Sequence, residues 1–247
     1  MGNGLLGDGF SFDVESLLGL ASHLIAPMLG GILSARLFAL VDDELASLLD
    51  ALKLSSKECF GSFLVVLVAI GVGGSGSAFI DFAAAIGIMA VLDLIYSINS
   101  FDFFPSVSAF RAFGDGLDAL GFAKKLGAQS LGALCALLLS SWLFDGTYPF
   151  AVPASVGEAV ANGTLFGLYL SWSFKYAKGS IGFALIIFTT ISSFGSFNSA
   201  ALLSSALLET IGGGGVGSFT DPIWIATLAA PLLGGVLAGR LPALIGV

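Results

Sequence analysis

The chain has 247 residues, of which 56% are hydrophobic and only 11% charged, and its mean hydropathy is +0.99. That balance excludes an ordinary soluble domain and describes an all-α, multi-pass membrane protein with lipid as its first partner. A net charge of −8 argues against nucleic acid, and 34 glycines suit helices whose backbones approach closely in lipid.

In chain order, residues 1–14 form a glycine-rich acidic tail, and an apolar segment at about 15–41 is long enough to cross roughly 30 Å of hydrocarbon. A polar, amphipathic connector follows to about residue 57, and further spans are predicted at about 58–76, 78–98, 121–144, 152–174, 179–193 and 221–241. Two apolar pieces remain, at about 105–114 and 199–210, and each is too short to cross. They open on the turns Phe104-Pro105-Ser106 and Asn198-Ser199-Ala200. Such half helices persist in a bilayer only where they line a cavity or are buried by protein, because lipid offers no partner for free backbone groups.

The chain repeats itself. Glu58-Cys59-Phe60-Gly61-Ser62 resembles Val160-Ala161-Asn162-Gly163-Thr164, and Gln129-Ser130-Leu131-Gly132 resembles Pro231-Leu232-Leu233-Gly234, both at an offset of 102 residues. The half-helix turns pair at an offset of 94. Each copy, at about 57–144 and 152–244, holds three full spans and one half helix, and an odd number of spans inverts the second copy relative to the first. The expected architecture is an inverted repeat of six transmembrane helices plus two re-entrant half helices over 57–247, preceded by an extra transmembrane helix within 1–56. The segment 26–40 parallels 230–244 at a constant offset of 204, so the chain begins with a copy of its own last span. With this topology all nine Lys and Arg fall on one side. That side is cytoplasmic or equivalent and holds the C-terminus, while the N-terminus lies on the charge-poor side.

The remaining polar residues carry little chemistry. Cys59 and Cys135 lie in apolar spans without metal-ligand company, and His23 stands alone. Asp81 is costly in lipid and is expected to face protein or water, and Trp142, Trp172 and Trp224 fit an interfacial belt. No phosphate loop, nucleophile triad or metal cluster is visible, so neither catalytic residues nor a cofactor is expected.

Taken in order, five stretches resemble the aquaporin, or major intrinsic protein, family. Glu58-Cys59-Phe60-Gly61-Ser62-Phe63 is similar to the family's Glu-x-x-Gly-Thr-Phe, and Phe104-Pro105-Ser106-Val107-Ser108 to its Asn-Pro-Ala-Val-Thr. Gln129 to Ala133 matches Gln-x-x-Gly-Ala, Asn198-Ser199-Ala200-Ala201 aligns with the second Asn-Pro-Ala-Arg, and Trp224 through Pro231-Leu232-Leu233-Gly234-Gly235 resembles the last span. The resemblance implies two half helices meeting at the midplane, with their positive ends aimed into a pore for water or a small neutral solute. It also implies a homotetramer and a structural role for Glu58 and Gln129, with the matched Glu binding loop backbone groups. The chain departs where the pore chemistry lies: Phe104 replaces the first Asn, Ser199 a Pro, and Ala201 the filter Arg. Two expectations follow. One is a channel of altered selectivity; the other is a non-conducting subunit of a larger membrane assembly, whose partners dock on the extra N-terminal helix.

Overall fold

The computed structural model describes residues 56–72, 77–95, 102–144, 152–176, 179–192 and 197–245, and these are helical with no strand among them. The expected acidic tail, first span, connector and His23 lie outside the described residues. The helices are α1 (Ser56–Val72), α2 (Ala78–Ile95), α3 (Pro105–Gly114), α4 (Ala119–Phe144), α5 (Val156–Tyr176), α6 (Gly179–Ser192), α7 (Ser199–Glu209), a short α8 (Gly217–Thr220) and α9 (Pro222–Ile245). A π turn, Thr210–Gly214, continues α7. Within these, Ala119–Trp142 and Pro222–Pro242 are long and apolar enough to cross a membrane.

Local chemistry sets the helix starts. Pro105 occupies the first position of α3, where its missing N–H costs nothing, and it holds Phe104 in the extended conformation that precedes a proline. Asp221 begins α9 by accepting from the Ile223 N–H at 2.8 Å, with Pro222 between them. Before α5, Ser155 accepts from the Glu158 N–H at 3.2 Å and Glu158 reaches back to the Ala154 N–H at 3.0 Å, a variant of the capping box. Glu158 is therefore a cap on an exposed helix end.

The helices pack in matched pairs. α1 lies along α4 and α5 along α9; α3 rests on α9 and α7 on α4; α2 meets α6, and the two half helices α3 and α7 touch each other. Glycines let the backbones meet. A Cβ on Gly132 of α4 would stand 1.9 Å from the Cys59 carbonyl oxygen of α1, and one on Gly234 of α9 would stand 2.2 Å from the Thr164 oxygen of α5. Likewise Gly235 of α9 leaves room for the first turn of α3, where a Cβ would sit 2.0 Å from the Ser106 oxygen. Only glycine fits at these crossings. A continuous apolar core fills the space between α1, α2, α3, α4, α5, α6 and α7. Large apolar side chains such as Phe79, Leu120, Trp142 and Leu165 face outward instead, as lipid-facing residues do. Of the two cysteines, Cys59 is buried and Cys135 exposed, and both are free thiols.

Candidate functional site

The polar centre of the molecule is built around Glu58, in the first turn of α1 and only 1% exposed. Its Oε1 accepts from the Asp102 N–H at 2.9 Å and from Lys125 Nζ at 3.0 Å. Its Oε2 accepts from the Phe103 N–H at 3.2 Å and from Gln129 Nε2 at 3.0 Å. The carboxylate thus binds two consecutive backbone N–H groups of the turn that precedes α3. Lys125 and Gln129 are one helical turn apart on α4, so both reach it from the same face.

Asp102 is the second buried carboxylate. Its Oδ2 accepts from Ser108 Oγ at 3.0 Å and from Lys125 Nζ at 2.8 Å. Its Oδ1 lies 2.9 Å from Arg111 Nη1, close enough for an ion pair although the two are not aligned as a hydrogen bond. Gln129 Nε2 also donates to Ser108 Oγ at 3.1 Å. Two carboxylates therefore meet two cations, which reach in from the more exposed rim. The charges balance, as buried charges must. Sequence reasoning gave Glu58 and Gln129 a structural role; it did not assign Asp102, Ser108, Arg111 or Lys125 to a site. The available signals were the four-residue spacing of Lys125 to Gln129 and the three-residue spacing of Ser108 to Arg111.

This network holds a strained turn. Phe103 adopts φ 60°, the one positive φ outside glycine among the described residues, and the Phe104 N–H donates to the Asp102 carbonyl at 2.7 Å across it. A bulky side chain in that region costs about 1–3 kcal/mol and persists only where surrounding contacts over-determine it. The turn delivers the Phe104 ring into the apolar core with 1% exposure. Pro105, Ser106 and Val107 follow it into the interior, and Ser171 Oγ of α5 donates to the Ser106 carbonyl at 3.2 Å.

At the second turn Asn198 caps α7. Its Oδ1 accepts from the Ala200 N–H at 3.1 Å and, more weakly, from the Ala201 N–H at 3.5 Å. Asn198 is 2% exposed, yet its Nδ2 has no hydrogen-bond partner. Ser199 Oγ donates to the Leu228 carbonyl of α9 at 2.7 Å, in the turn that Pro231 deprives of a backbone donor. Ala200 and Ala201 are buried in the same apolar core as Phe104 and Val107. The residues singled out in the two turns, Phe104, Pro105, Ser106, Asn198, Ser199, Ala200 and Ala201, are all buried where α3 and α7 approach. None of these side chains presents appreciable surface to solvent.

The cations gather at one end of the molecule. Arg111 lies over the Phe174 ring at 5.7 Å, Lys175 over Phe110 at 5.4 Å, and Arg240 over Phe113 at 5.6 Å. These three lie at the C-terminal half of α3, where a helix favours positive charge, while Lys125 binds the carboxylates at the turn before α3. Among the described residues no group of His, Cys, Asp and Glu is placed to hold a metal ion. Neither the known family models nor the curated proteins match this chain.

Proposed function

We propose that the chain is an aquaporin-like integral membrane protein, with a passive path for a small neutral solute that Phe104 holds closed in the state described. The observation that carries this reading is the meeting of α3 and α7 inside the bundle, with the Phe104 ring on one side and an unpaired, buried Asn198 Nδ2 on the other. A buried donor without a partner is costly, and native structures keep one where something else supplies the acceptor. A solute carbonyl, hydroxyl or lone pair passing the midplane is such an acceptor. The matched helix pairs support an inverted repeat with six spans, each copy contributing one half helix. The gathering of cations at one end supports an orientation with that end cytoplasmic or equivalent. Both half-helix N-termini still disfavour cations, while Ala201 offers neither the charge nor the donor of an Arg at the filter position. Selectivity on this reading is for small, weakly polar molecules rather than for water alone. Homotetramers and partners docking on the extra N-terminal helix belong to the same proposal.

The dry midplane favours a second reading, in which the path never opens and the protein is a structural or interaction subunit. Vesicle light scattering separates the two. Phe104→Ala is expected to raise water or glycerol flux about tenfold over the parent, since a ring-sized obstruction is replaced by space for single-file passage. No flux of water, glycerol, urea or ammonia in either protein sinks the channel reading and leaves the subunit.

A further inference from the structure

We propose that Asp102 is the positioning residue of the closed path: its carboxylate, loaded by Lys125 and Arg111 from the positively charged end, holds Phe104 across the midplane. The inference rests on the closed-path reading above and names what sets it. Phe104 is the second residue after Asp102, and the two are joined by the hydrogen bond that closes the turn over Phe103. A Phe at φ 60° relaxes when its restraints are weakened, and any relaxation at residue 103 swings the ring attached at residue 104. Glu58 fixes the N–H groups of Asp102 and Phe103, and this hold survives a change at the Asp102 side chain. The Phe103 ring packs against Phe104 and Phe174 beside it. The Asp102 side chain adds the hold that carries charge to the rim, joining Ser108 and Arg111 of α3 to Lys125 of α4 next to the Gln129–Ser108 bond.

Both cations are only partly buried, so the end of the latch reaches the rim while its carboxylate is sealed. An event at the rim that draws Lys125 or Arg111 away therefore acts on a ring inside the core. The second turn has no such lever among the described residues, where Asn198 bonds only to its own helix through Oδ1. The latch thus gives a two-state element with one end near solvent and the other at the midplane.

The test uses the full chain reconstituted in vesicles, with Cys59→Ala and Cys135→Ala as background and Ala201→Cys as reporter. Ala201 is buried at the start of α7 in the same apolar core as Phe104. Adding Asp102→Asn is expected to raise the rate of methanethiosulfonate labelling of the reporter about tenfold, because loss of the ion pairs shifts the closed state toward an open one. A control reporter at Ala85→Cys, buried on α2, is expected to stay unlabelled. An unchanged rate at the first reporter overturns the proposal, and so does an equal rise at both, which means general loosening. Should Asp102→Asn not yield folded protein, Arg111→Gln carries the same comparison from the exposed side. Labelling that rises without solute flux keeps Asp102 as the positioning residue and sinks the conducting reading alone.

Discussion

At the start of α3, two backbone N–H groups are held by a carboxylate from another helix, through a network of four charged residues and a backbone angle that a phenylalanine rarely adopts. At the start of α7, two N–H groups inside the first turn are held by the helix's own cap, Asn198, and the contact to a neighbour is a Ser199 hydroxyl. Both arrangements satisfy donors that an interior helix end cannot leave to lipid. They differ in where the energy sits: the first turn depends on a residue up to 45 positions away, the second chiefly on its own sequence. Two helix starts that the sequence pairs can therefore be held in different ways. One turn is braced and the other retains an open donor.

Removing the brace gives the largest expected effect. Glu58→Ala leaves the Asp102 and Phe103 N–H groups and Gln129 short of an acceptor and strips Lys125 of one of its two anions. Breaking a buried charge network of this kind costs about 3–5 kcal/mol. The repeat-related change, Val160→Ala, touches a side chain that is 42% exposed and is expected to cost less than about 0.5 kcal/mol. Thermal unfolding in detergent compares the two, and similar losses would show that the first turn is not the braced one.

A second prediction sharpens what the copies share. Gly132→Ala and Gly234→Ala each place a methyl on a backbone carbonyl that cannot retreat without parting two helices. Each is expected to destabilise by about 1–3 kcal/mol, the cost of overpacking a tight interior contact. The two values should agree, because the crossings of α1 with α4 and of α5 with α9 are alike. A large difference in unfolding temperature between the two variants would mean that the likeness of the copies stops at sequence.

The sequence was informative where structure follows from local pattern. Pro105 and the loss of apolar character after Gly114 marked α3 at both ends, and Ser199 opened α7 where the turn predicted it. Gly132 and Gly234, which the repeat pairs at an offset of 102 residues, sit at the two close crossings. The Asp102 network was not legible, because its members lie 6 to 67 residues apart and meet only through the rotation of α1, α3 and α4 about their axes. Hydropathy fixes which segments are helices without fixing that rotation when every face is apolar. The φ of Phe103 was equally hidden, since positive φ is announced by glycine or asparagine and nothing local selects it here. Glu158 illustrates the converse. It lies two residues from Val160, the repeat partner of Glu58, yet its role is local and is set by the Ser155 three residues before it.

Asn198→Ala is predicted to change stability only slightly and is the most discriminating for the second turn. The substitution deletes a cap, which alone costs about 1 kcal/mol. It also deletes a buried Nδ2 that has no partner, and leaving such a donor unpaired costs about 1–3 kcal/mol. The two terms oppose each other, so the unfolding free energy should move by less than about 1 kcal/mol in either direction. The first turn offers no such cancellation, because Glu58→Ala takes an acceptor from the Asp102 and Phe103 N–H groups and an anion from Lys125 without removing any unpaired donor. A loss above about 2 kcal/mol for Asn198→Ala, read from detergent unfolding, would mean that the Nδ2 donor has a partner in the resting protein. The open donor, and with it the polar wall of the path, would then disappear, and the two turns would differ in strength without differing in kind.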